Sequence, residues 1–100
     1  MKASILAEAE DDLERAFDYY ELQRPGLGRE LLVEYRRGLD LMLAHPRAWQ
    51  ALDETYRRYR LHRFPYGIVY CEEAEDQLLI VAFTHLSQKP DSWRSRVRPQ

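Results

Sequence analysis

The chain of 100 residues contains one cysteine, Cys71, which excludes an intramolecular disulfide framework and a multi-cysteine zinc site. Its place in an apolar run predicts a buried thiol. Glycine occurs only at 26, 28, 38 and 67, and that spacing builds no phosphate loop. The three histidines, His45, His62 and His85, lack the spacing of metal ligands, so no metal and no cofactor are expected. A hydrolase triad is equally unsupported. Ser87 lies close to His85 in sequence, but no sharp nucleophile turn or oxyanion hole is indicated. No apolar run approaches a membrane span. The opening MKASILAEAEDD reaches acidic residues too soon for the core of a signal peptide, so the cytoplasm is the expected location and no membrane is expected as a partner.

What remains is a soluble, globular composition, 45% hydrophobic and 32% charged, of a length that supports one domain over residues 1–100. The net charge of −2 hides an asymmetry. Residues 1–54 carry 7 basic and 12 acidic side chains, whereas residues 55–100 carry 8 basic and 5 acidic. An acidic chain argues against broad nucleic-acid binding, yet a local basic patch in the second half can still hold phosphates.

Residues 2–6 read as a short first strand. From Ala7 to Gln23, Ala9, Leu13, Ala16, Phe17 and Tyr20 recur at helical spacing, with acidic residues in the first turns where the helix dipole favours them. Those carboxylates read as a solvated face and not as paired catalytic acids. Arg24-Pro25-Gly26 stops the helix. A second helix, Leu27 to Ala44, presents Leu27, Leu31, Leu32, Tyr35, Leu39, Met42 and Leu43 on a broad apolar face and ends at His45-Pro46. Residues 47–54 are expected as a loop. Strands follow over Thr55–Phe64, Tyr66 to Cys71 or Glu72, and Gln77–Thr84, with Pro65 marking a bulge or corner. Phe64, Tyr66, Ile68 and Tyr70 are expected on one sheet face, and Leu79, Val81 and Phe83 together on another. The acidic run 72–76 reads as a hairpin turn. The result is a two-layer α+β domain, an N-terminal helical hairpin packed on a twisted antiparallel sheet.

The chemistry concentrates in Arg57–Tyr70, RRYRLHRFPYGIVY. Strand alternation sends Arg58, Arg60 and His62 one way and Arg57, Tyr59, Leu61 and Arg63 the other. These cations with His85 and Lys89 form a candidate target-binding patch. The plainer alternative is an edge strand guarded by charge. Arginines, a histidine and tyrosines can hold a phosphodiester and move protons without a metal. Arg63 has a second reading as an anchor for a helical acid. Beyond Trp93, Arg94, Arg96 and Arg98 read either as a flexible basic tail over 94–100 or as an extension of the patch.

Four segments in this order, AEAEDDLERAFDYY, PGLGRELLVEYRRGLDLMLAHP, RRYRLHRFPYGIVY and LLIVAFTHLSQKPDSW, resemble the RelE/ParE superfamily, the toxins of type II toxin–antitoxin modules. The resemblance covers about residues 3–94 and favours the ParE-like, plasmid-stabilisation branch. It implies neutralisation by a cognate antitoxin that wraps the surface, for which Leu22, Leu27 and Trp49 are expected anchors, and operator DNA bound only through the antitoxin complex. ParE-like members poison DNA gyrase and are not nucleases. RelE-like members cleave ribosome-bound mRNA. On that alternative the 2′-hydroxyl would be the nucleophile, His85 the proton-transfer group, and Arg57 and Arg60 the phosphate stabilisers. Arg57, Arg63 and His85 match recurrent family positions. The chain departs from the family at Ser87, Gln88 and Lys89, where relatives usually carry arginine, and in its acidic balance. Both departures leave open a degenerate, non-toxic binding module of the same fold.

Overall fold

The computed structural model describes residues 1–97. In order they form β1 (Lys2–Ile5), α1 (Ala7–Gln23), α2 (Leu27–Ala44), β2 (Gln50–Ala51), β3 (Tyr56–Arg60), β4 (Tyr66–Ala74), β5 (Gln77–His85) and a 3₁₀ turn (Arg94–Arg96). Both helices run as the apolar periodicity predicts. Their junction is tight because Gly26 adopts φ 91°, which only glycine accepts cheaply. A carboxylate that the sequence does not flag closes it. Glu21 accepts from the backbone N–H of Gly26 and Gly28 at 2.9 to 3.1 Å, which caps the start of α2. A Cβ on Gly28 would fall 2.8 Å from the Phe17 ring, so this glycine also sets how closely the helices approach.

The sheet order is β1-β5-β4-β3-β2. The α+β expectation holds, and β2 to β5 are antiparallel throughout. The short first strand joins as a parallel edge on β5. Residues 50–51, expected within a loop, pair with β3 at Arg57 and Arg58. The strand expected over Thr55–Phe64 stops at Arg60, because the chain turns a corner at 61–65. There the Leu61 N–H donates to Tyr66, and the Pro65 carbonyl accepts from Leu86. Pro65 thus sits at the corner, where its missing N–H costs no ladder bond.

A register shift at Val69/Tyr70 places an extra β5 residue, Val81, opposite β4. It corrects the expected face of β5. Phe83, Ile80 and Leu78 pack with Ile68 and Tyr70 under the helices, while Val81 and Ala82 join Val69 and Trp93 in a second cluster. Leu79 pairs with Cys71. Leu79, Val81 and Phe83 therefore do not share a face, since a bulge reverses the alternation on either side of it.

The sheet consequently has two covered faces. The helices lie on one. Trp93, 1% exposed, covers the other with Tyr56, Leu52 and Val97 around it. Its indole N–H donates to the Pro90 carbonyl, and its ring lies 4.8 Å from that of Tyr56.

Tyr70 ties the layers together. Its hydroxyl donates to the Pro46 carbonyl at 2.7 Å, just beyond α2. Burial, opposed by Arg57, pushes this phenol up to about 12, and burial also raises Tyr20, Tyr35, Tyr56, Tyr59 and Tyr66. A phenol whose pKa is higher folded than unfolded favours the native state while protonated. Its contribution is complete below about pH 10, the unfolded value, and disappears as pH rises through about 12. Urea midpoints measured between about pH 9 and 12 should therefore fall with pH. The fall should be shallower in Tyr70→Phe, and equal slopes in the two proteins would count against this role for Tyr70.

Candidate functional site

The arginine strand is divided between the two faces of the sheet. Arg57 and Tyr59 point toward the helices, and Arg58 and Arg60 point to the opposite face, as the alternation of β3 predicts. Arg57 is spent on architecture. Its guanidinium donates to the Trp49 carbonyl at 2.8 Å, which fastens the chain after α2 to the sheet. Arg58 lies across Gly67, where a Cβ would stand 2.8 Å from its Cδ. Arg58 donates to Gln50 at 3.1 Å, while its Nε is buried with no acceptor among the described residues. Arg60 is exposed and in no ion pair among the described residues.

Arg63 sits on the corner after β3 and donates to Glu30 of α2 at 2.6 Å. Arg24 grips the same carboxylate at 3.1 Å. These two guanidiniums, Arg63 foremost, hold the Glu30 carboxyl below its usual range. The reading of Arg63 as an anchor for a helical acid is thus realised in the structure. His62 is exposed on the same corner.

His85 closes β5 on the helix side. Its ring meets Tyr66 edge-on at 5.1 Å, and its Nδ1 accepts from the Ser87 N–H at 3.0 Å with the Ser87 hydroxyl at 2.7 Å. Nδ1 acting as acceptor leaves the proton of neutral His85 on Nε2. The cleft beside it is lined by Tyr66, Phe83, Arg15, Tyr19 and Gln88. Register places the Arg60 backbone across from Gly67 and Thr84, next to His85. Successive residues point oppositely, however, so the sheet separates the Arg60 side chain from the imidazole. Arg57, Arg60 and His85 therefore do not converge. Lys89 is exposed between β5 and Trp93.

Arg94 and Arg96, read in the sequence as part of a tail, are instead engaged in ion pairs. Arg94 bridges Asp53 and Asp91, each at 2.7 Å, and lies 4.5 Å from the Trp93 ring. Asp53 is held below the usual carboxylate range first by the Tyr56 N–H, then by Arg94 and the Thr55 N–H. Arg96 reaches α1, donating twice to Asp12 at 2.6 and 2.9 Å. Arg98 lies outside the described residues.

Of the expected antitoxin anchors, Leu22 is 87% exposed, whereas Leu27 and Trp49 are half-buried against the main core. Trp49 meets the Tyr59 ring edge-on at 4.8 Å. Among the described residues, Tyr19, Leu32 and Val33 are exposed apolar side chains outside that expected set. They were hidden in the sequence because helical periodicity alone does not rank apolar positions by depth.

A family model described as the ParE toxin of type II toxin–antitoxin systems, parDE, matches residues 4–90. The chain belongs to the ParE toxin family. Among solved structures, a chain of the chromosomal ParDE toxin–antitoxin system from P. aeruginosa is similar at 16% identity with a TM-score of 0.73, covering 85% of this chain and 95% of that one. That likeness is one of fold, a helical pair with a mixed five-stranded sheet. No curated protein matches the chain. The chain is a toxin of a type II toxin–antitoxin system, whose partner is an antitoxin. No helix among its described residues is long and apolar enough to cross a membrane.

Proposed function

We propose that this ParE-family toxin arrests growth by poisoning DNA gyrase, using the outer sheet face that carries Arg58 and Arg60 as its contact surface, with Lys89 as a neighbouring cation. A cognate antitoxin neutralises it by covering that face with acidic residues and taking exposed Leu22 and Tyr19 as apolar anchors. The observation supporting a binding toxin over a ribonuclease is the separation of the three candidate catalytic groups. Arg57 is committed to the Trp49 carbonyl, and His85 and Arg60 lie on opposite sides of the sheet. General acid–base cleavage needs its proton-transfer group and its phosphate clamp at one phosphodiester.

The test is inducible expression in bacteria with readouts for gyrase-dependent DNA breaks and for codon-phased mRNA cuts. DNA breaks without mRNA cuts are expected. Arg58→Ala/Arg60→Ala should reduce the breaks at least tenfold while the purified variant keeps its native circular dichroism, because neither side chain is in an ion pair among the described residues. Codon-phased cuts lost in His85→Ala would establish the nuclease alternative. Harmless expression without either signal would favour the degenerate binding module.

A further inference from the structure

The cleft beside His85 holds more hydrogen-bond donors than free acceptors. It has a volume of about 360 Å³ and lies along the β5 edge at Phe83 and His85, with Asp12, Arg15 and Tyr19 of α1 and Gln88 of the following turn also lining it. Its strongest acceptors are already engaged by the chain itself. Asp12 Oδ1 accepts from Arg15 and Arg96, and Oδ2 accepts from the Phe83 N–H and Arg96. Bonds in that number fill the lone pairs of a carboxylate. Gln88 Oε1 accepts from the His85 N–H, and His85 Nδ1 is occupied by Ser87. The fold explains why: β1 stops opposite Ile80, so the carboxylate of the cleft is drawn into capping the bare β5 edge.

The donors are left over. With Nδ1 occupied, neutral His85 carries its proton on Nε2, and the Gln88 amide nitrogen keeps both hydrogens. Arg15 spends one nitrogen on Asp12 and makes no other bond among the described residues. Charge runs the same way. The single negative charge of Asp12 meets two guanidiniums, Arg15 and Arg96, which leaves one positive charge over.

We propose that this cleft binds a 5′-mononucleotide, a small phosphate ester carrying a planar base. The phosphate takes the His85 Nε2–H, the Gln88 amide and the free nitrogens of Arg15, bonds that an anion accepts most strongly. The base stacks on Tyr19, whose ring is 55% exposed. Small-molecule sites begin at ~300 Å³, so the cleft admits one nucleotide. It opens on the helix side of the sheet, away from Arg58 and Arg60, and is independent of the gyrase reading.

Calorimetry and amide NMR spectra of the full chain, freed of antitoxin, test this with adenosine 5′-monophosphate, adenosine and inorganic phosphate. The nucleotide should bind, with amide shifts concentrated at Phe83, His85, Ser87 and Gln88, and adenosine and inorganic phosphate should each bind about tenfold more weakly or less. His85→Phe and Arg15→Gln should each weaken the nucleotide about tenfold, the loss of one charge-assisted or amide-type bond. Arg15 is mostly exposed, so Arg15→Gln keeps the test open should His85→Phe fail to fold. Arg47→Gln removes an equal charge beside Glu72 and should leave the affinity unchanged. A spectrum unchanged by the nucleotide overturns the proposal, as do shifts centred on Arg58 and Arg60. Equal losses in Arg47→Gln and Arg15→Gln would also overturn it, by showing attraction to charge in general. Inorganic phosphate binding as tightly as the nucleotide would overturn the assignment of the base to Tyr19 and with it the nucleotide.

Discussion

Replacing Asp12 by alanine is expected to destabilise the toxin by about 3–5 kcal/mol. Asp12 lies on α1 at 8% exposure and is the meeting point of three parts of the chain. β1 covers the edge of β5 only as far as Ile80, which leaves the next edge groups unpaired. One Asp12 carboxylate oxygen accepts the Phe83 N–H at 3.1 Å. Arg96 donates to the Val81 carbonyl at 3.1 Å and grips both Asp12 oxygens. Asp12 and Arg96 together therefore complete an edge that no strand completes. Asp12 also receives Arg15 at 2.8 Å, but that arginine is mostly exposed and adds little.

Removing Asp12 strands a mostly buried guanidinium and orphans the Phe83 N–H at once. At roughly 4–8 °C per kcal/mol for a domain of this size, the thermal midpoint should fall by roughly 15 °C or more. Arg96→Met alone should cost less, because Asp12 keeps the Phe83 N–H and Arg15 as partners. The Asp12→Ala/Arg96→Met pair should lose clearly less than the sum of the singles. Additive losses in urea unfolding would show that the two side chains do not act as one edge cap.

The second large effect belongs to Trp93. It is the principal cover of the second sheet face, packed on Val69, Val81 and Ala82, and Trp93→Ala should cost about 3–5 kcal/mol through lost burial and the cavity left behind. Total stability of a domain this size is about 5–15 kcal/mol, so the variant should fold only marginally. Protease cleavage should concentrate between β5 and residue 97, because Arg94 and Arg96 then hold the segment without its apolar anchor. Trp93→Phe should recover more than half of the loss. A Trp93→Ala protein with a native urea midpoint and native protease resistance would show that the C-terminal segment is not what closes this face.

Local signals made most elements readable. Apolar spacing located both helices, Pro25-Gly26 and His45-Pro46 bounded them, and Pro65 marked the corner. The Arg58/Arg60 and Arg57/Tyr59 division followed from alternation within one strand, where side-chain direction is a property of the backbone itself. It carried one residue past the strand end, where Leu61 joins Tyr59 in the helix-side core. Across strands that logic lapsed, and the Val81 bulge undid the expected partnership of Leu79, Val81 and Phe83. A bulge depends on how two strands pair, so neither strand alone announces it.

The candidate site was legible in its residue types and not in its assembly. Arg57, Arg60 and His85 read as neighbours because they lie near one another along adjoining strands. The sheet then turned Arg60 away from His85, and the Trp49 carbonyl took Arg57. Leu27 and Trp49 read as surface anchors because they are apolar, and packing drew both toward the core.

By itself the sequence determined the two helices, the strand-rich second half, the clustering of positive charge there and membership of the toxin family, because each depends on residue type and short-range spacing. Only the tertiary structure decided that Asp12 and Arg96, 84 positions apart, finish the β5 edge, and that Trp93 closes a second face. Those outcomes depend on which groups meet after the chain has closed its long loops, and no local preference encodes which charge will find its partner.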